Sequence, residues 1–245
     1  MNRLLIEEDS SNQFNPWSYL KKLVLKVVLN VIYPICIIVP TASIAMICWS
    51  NGSGSLLTWH LFLTGIGFHL IMPTGISSLR VLQPLLLFAS CTRKTIHWLL
   101  QSVASAFAVT GVVLQYINRE MKHKHNHFAT VHSIVGLLSV VLVVVSLVSG
   151  VVALLGWPKL RQFVRPAWLY RIHRAVGAAG FSTGMVALAL AYEKRIFREH
   201  FFPETRFALT IALGVTVLVS LLGLFKKIAS VWSNAVQSDG VSNPK

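Results

Sequence analysis

Charge is scarce in this chain of 245 residues, and acidic charge most of all. Asp and Glu number 8, Lys and Arg 22, and charged residues make up only 12%. A soluble globular domain carries about twice that share, so that class is excluded. Cysteine is equally sparse. Cys36, Cys48 and Cys91 lie in or beside apolar runs, which suggests neither a disulfide framework nor a zinc site. Alternating apolar–polar strands are absent as well, and with them the pattern of a membrane barrel.

Apolar residues are what the chain has in quantity, at 54%. Six runs are long enough to cross about 30 Å of hydrocarbon, a distance that takes about 20 helical residues. They fall at 23–49, 56–77, 96–116, 129–155, 172–192 and 207–225. The expected fold is an all-α membrane protein with six transmembrane helices. Its membrane body covers 23–228, with a core at 56–192 and polar tails at 1–22 and 229–245, the first of them expected to be disordered. Run 1 begins too late and is too long for a cleavable signal, so it reads as an anchor. Its Pro34 and Pro40 predict a kink. Runs 1 and 6 hold no histidine and are expected at the periphery. The apolar stretch 81–89, broken by Pro84, reads as an interfacial segment. Asn51-Gly52-Ser53 forms a glycosylation sequon close to two spans.

A net charge of +14 would suit nucleic acid, but the basic residues flank the apolar runs. With six spans both termini share one side. Fifteen Lys and Arg then lie on that side and seven on the other. This bias puts both termini in the cytosol, in an endomembrane (endoplasmic reticulum or vesicle) or the plasma membrane. The bilayer is the expected partner and nucleic acid is not.

Four histidines stand near the starts of four consecutive runs: His60, His97, His132 and His173. Consecutive spans are antiparallel, so the starts alternate between faces. His60 and His132 share a depth near the outer face, and His97 and His173 near the inner one. About 20 Å separates the two layers. Gly136 follows His132 by one turn, and Gly177 follows His173, leaving bare backbone beside an imidazole. A pair of facing imidazoles inside a helical bundle suits a b-type haem, which takes one axial nitrogen from each side. Zinc or copper usually needs further ligands. The pattern therefore predicts helices 2–5 as a four-helix bundle around two haem b groups. The competing readings are a cytochrome subunit fed by quinol or a partner protein, and a cofactor-free transporter-like bundle with histidines in packing or proton transfer. His69 falls on the face opposite His60 and reads as a hydrogen-bonded core histidine, with a metal role as the lesser alternative. His123, His125 and His127 alternate in the loop before run 4. They form either a loose metal site or a solvated basic loop.

Trp59-His60, His97-Trp98, His132 with Gly136 and His173 with Gly177 resemble, in order and spacing, the cytochrome b561 family of transmembrane electron carriers. The resemblance covers about 56–192 and is nearest to the short six-span reductases of that family. It implies cytosolic ascorbate as donor and haem pairs His97/His173 inside and His60/His132 outside. It further implies monodehydroascorbate radical or ferric iron as acceptor, and a homodimer. Arg93, Lys94, Arg165, Arg171 and Arg174 would draw the ascorbate monoanion to the inner mouth, although ordinary positive-inside topology explains each of them equally well. His123, His125 and His127 could hold ferric iron on the outer side. One departure stands out: ascorbate-dependent members carry Lys two and six positions before the helix 3 histidine, where this chain has Thr95 and Cys91.

Overall fold

A computed structural model describes residues 16–79, 92–123, 126–155 and 166–241. Among these, six helices are long and apolar enough to cross a membrane, and there is no strand. They are α1 (Pro16–Asn51), α2 (Leu56–Ser77), α3 (Arg93–Met121), α4 (Val131–Leu155), α5 (Pro166–Tyr192) and α6 (Pro203–Val241). A short turn, Arg195–Arg198, links the last two. The end of the bundle opposite the start of α1 is called outer below.

Local chemistry sets the helix ends. Gly52, at φ 69°, reverses the chain after α1 in a conformation that costs other residues. Ser55 Oγ then accepts the Leu57 N–H at 3.2 Å, and Thr92 Oγ1 accepts the Thr95 N–H at 3.3 Å, capping α2 and α3. α1 begins earlier than the apolar run, because Pro16 suits a first helical turn and Lys21, Lys22 and Lys26 extend it with exposed charge. α6 continues through most of the polar tail expected from 229; the chain has no proline between Pro203 and Pro244 to stop it. The expected tail before Pro16, the interfacial segment at 81–89 and the loop 156–165 lie outside the described residues.

Where the sequence predicts a kink, α1 carries a π-helical turn, Val28–Ile32, just ahead of Pro34. α2 has the same feature: Ile66–Ile71 is π-helical and Pro73 follows. Proline cannot donate to the helix ladder, and widened turns are where helices absorb such a defect.

Small residues let the helices pair closely. α4 and α5 form one tight antiparallel hairpin and α2 and α3 another, and the two hairpins face each other. A Cβ on Gly180 would stand 3.0 Å from the Val143 nitrogen, and one on Gly111 would stand 2.7 Å from Thr64 Cγ2. α1 and α6 pack together against this core. Tyr33 OH ties them to α2, lying 2.9 Å from Ser220 Oγ and 3.1 Å from the Pro73 carbonyl.

Candidate haem-binding sites

The two hairpins bring the four histidines together as facing pairs. His60 (α2) faces His132 (α4), with ring centres 6.5 Å apart and planes at 85°. His97 (α3) faces His173 (α5) at 6.3 Å and 86°. Each pair therefore joins one histidine from each hairpin.

Within its own hairpin, every one of these imidazoles is held by a backbone carbonyl. His60 Nδ1 lies 2.9 Å from Gly111 O, and His97 Nδ1 lies 2.8 Å from Gly75 O. In the other hairpin, His132 Nδ1 lies 2.8 Å from Ala187 O and His173 Nδ1 lies 2.9 Å from Ser146 O. A carbonyl only accepts, so Nδ1 carries the proton and donates. Nε2 is left with its lone pair for a metal. This is the arrangement in which an outer hydrogen bond fixes tautomer and ring direction of a ligating histidine.

The spacing between the rings fits one iron atom. An Nε2–metal bond of about 2.0 Å, and about 1.1 Å from that nitrogen to the ring centre, counted on both sides, give about 6.2 Å between centres. Imidazoles in direct hydrogen bonding would stand more than about 1 Å closer. Among the described residues no group of three or more His, Cys, Asp or Glu gathers to hold a metal ion. The candidate ligand sets are therefore pairs of imidazoles.

Register along the helices links the two layers. From His97 to Gly111, from His132 to Ser146 and from His173 to Ala187 the step is 14 residues, about 21 Å at about 1.5 Å per residue. From His60 to Gly75 the step is 15. The π-helical turn Ile66–Ile71 lies between them and holds the extra residue, since an i→i+5 turn contains one more than an α turn. His69 belongs to that turn. It is 1% exposed, and its Nε2 lies 2.9 Å from Tyr192 OH, away from both facing pairs. The core reading of His69 is the one the structure shows.

The outer pair opens into a cavity of about 410 Å³. His60, His132, Phe68, Gly136 and Gly184 line it, and Arg119, Lys194, Arg195 and His127 stand among its outer residues. The carboxylates nearby are matched by cations or imidazole: Glu120 with His127, Glu193 with Arg206 and Glu199 with Arg195. At the inner end Arg93, Lys94, Arg171 and Arg174 are exposed on the first turns of α3 and α5, around His97 and His173. Arg171 lies over the Trp168 ring at 5.4 Å. Arg165 and Cys91 are outside the described residues, as is His125. His123 is exposed, and His127 is bonded to Glu120.

The pattern of eukaryotic cytochrome b561 matches residues 59–198, more than half of the chain and all four paired histidines. The chain belongs to the cytochrome b561 family. Cytochromes of this family bind haem b, and with six apolar helices this member is a multi-pass membrane protein. A mouse (Mus musculus) relative, plasma membrane ascorbate-dependent reductase CYBRD1, is 30% identical over 185 residues, covering 70% of this chain and 60% of the mouse protein. The chain thus spans less than two thirds of that relative's length.

The sequence pattern alone missed the four carbonyls at Gly75, Gly111, Ser146 and Ala187, and also Gly150. A Cβ on Gly150 would stand 2.9 Å from His173 Cε1, so this glycine seats the inner imidazole. The available signal was small residues recurring opposite the histidines.

Proposed function

We propose that this cytochrome carries two haem b groups, one between His97 and His173 and one between His60 and His132. It would pass electrons from ascorbate at the inner end to an acceptor at the outer end. The observation that carries this reading is the two facing imidazole pairs, each ring held at Nδ1 by a carbonyl, which leaves Nε2 free to bind a metal. Haem held by the two imidazoles of each pair would supply one-electron transfer. The residues hold it rigidly, so little rearranges when charge arrives.

Arg93, Lys94, Arg171 and Arg174 (with Arg165 beyond the described residues) are the proposed donor mouth, with both termini cytosolic. Their charge draws a monoanion to the haem edge. Thr95 and Cys91 in place of the family's lysines assign more of that role to Arg93 and Lys94. At the outer end the cations Arg119, Lys194 and Arg195 favour an anionic acceptor: monodehydroascorbate, or ferric iron held in an anionic chelate. The mouse relative, named as an ascorbate-dependent reductase, agrees with ascorbate as donor.

An absorption spectrum of the purified protein, before and after ascorbate, tests this directly. Two b-type haems per chain, reduced by ascorbate, are expected. Haem that ascorbate fails to reduce would move the donor to a quinol or partner protein, and a colourless protein would end the haem assignment.

A further inference from the structure

His127 stands apart from the exposed loop histidine His123. Its Nε2 lies 2.6 Å from Glu120 Oε1 at the end of α3. Its ring stacks on Tyr116 with centres 4.3 Å apart, and its side chain is only 15% exposed. It lines the same cavity as His60 and His132, beside Arg119, Lys194 and Arg195. The chain reaches this position through a strained turn, with Phe128 at φ 54°. An imidazole oriented by a carboxylate, facing a cavity where charge is to be neutralised, is built to hand over a proton.

We propose that His127, held by Glu120 over the outer cavity, gives a proton to an acceptor that takes up one electron there. The acceptor class is an organic oxyanion radical. This rests on the electron path proposed above and deepens it by naming the acceptor chemistry. When a radical anion gains an electron it becomes a dianion with a basic enolate oxygen. Two negative charges are costly in a half-buried mouth. The electron comes from the donor through the protein. The proton comes from the His127 imidazolium: its N–H not engaged by Glu120 breaks and an O–H forms on the acceptor. A neutral imidazole remains, still donating Nε2–H to Glu120, and takes a new proton from solution. The acceptor leaves as a closed-shell monoanion. Ferric chelates and ferricyanide take the electron alone and do not need this step.

The experiment uses full-length protein in lipid vesicles with ascorbate trapped inside and the acceptor outside. Monodehydroascorbate, generated enzymatically, is compared with ferricyanide, and haem content is read from the spectrum. In the native protein, the monodehydroascorbate rate should show a solvent deuterium isotope effect and the ferricyanide rate none. His127→Asn should slow the monodehydroascorbate rate by about a hundredfold, with haem content retained and the ferricyanide rate little altered. Glu120→Gln should fall between the two, and free imidazole should restore rate to His127→Ala. An unchanged monodehydroascorbate rate in His127→Asn would overturn the proposal. So would an equal loss with both acceptors, which would make His127 part of the fold or the electron path. Native haem left oxidised by trapped ascorbate would overturn the electron path itself, and this step with it.

Discussion

The outer and inner histidine pairs have nearly the same geometry and different surroundings. Ring separations differ by little, 6.5 and 6.3 Å, and all four rings use Nδ1 on a carbonyl. Yet the glycine one turn past each of the two α4/α5 histidines serves a different purpose. Gly136 borders the outer cavity, and its nearest neighbour for a Cβ is Ala187 Cβ at 3.9 Å, an ordinary contact. A Cβ on Gly177 would meet Ser146 Oγ at 2.7 Å, so that glycine closes α5 onto α4. One motif in sequence thus makes room at one end and removes it at the other. At the inner end, the seat of the imidazole comes from Gly150 on the facing helix.

The strongest way to break the comparison is to delete one ligand at a time. His60→Ala or His132→Ala should abolish the outer haem and leave about half the haem absorbance; His97→Ala or His173→Ala should do the same for the inner one. Haem titration and redox-resolved spectra would show whether each pair stands alone, and loss of all haem from any one variant would mean the layers fold as a unit.

Next in size is Gly150→Ala. The added methyl must displace His173, so the inner haem should be lost or shifted in potential while the outer one keeps its spectrum. Gly177→Ala should cost about 1–3 kcal/mol through overpacking, recovered in part by Ser146→Ala; a thermal melt of both variants and the double variant checks this coupling.

Arg93→Ala with Lys94→Ala should slow haem reduction by ascorbate by about tenfold at low salt, with haem content intact. Stopped-flow reduction measures it, and unchanged kinetics would remove both residues from the donor mouth. The smallest expected effect on the haem sites belongs to Tyr192→Phe. It takes from His69 the only hydrogen-bond partner shown for it, at a cost of about 1–3 kcal/mol. Both haem spectra should stay as they are, since neither facing pair touches this contact.

Six spans and the four histidines that face each other in pairs were legible in composition and spacing. Hydrocarbon imposes length and apolarity on every crossing segment, and an intramembrane imidazole stands out against it. The finer parts were not legible. Start positions cannot reveal which carbonyl each Nδ1 will meet, because that depends on how closely two helices approach. The 15-residue step in α2 looks out of register with the 14-residue steps elsewhere until the π turn is seen. The loop histidines showed the same limit. Sequence grouped His123, His125 and His127, while the fold placed His127 on Glu120 and beside the cavity.

By itself, then, the sequence determined the solvent this chain folds in, the number of crossings and the identity of the imidazoles. Those follow from transfer energies and from antiparallel threading, which act segment by segment. Tertiary structure decided the direction of each ring, the separate uses of Gly136 and Gly177, and the partner of His127. These depend on contacts between helices, where a methyl group or one residue of register changes the outcome.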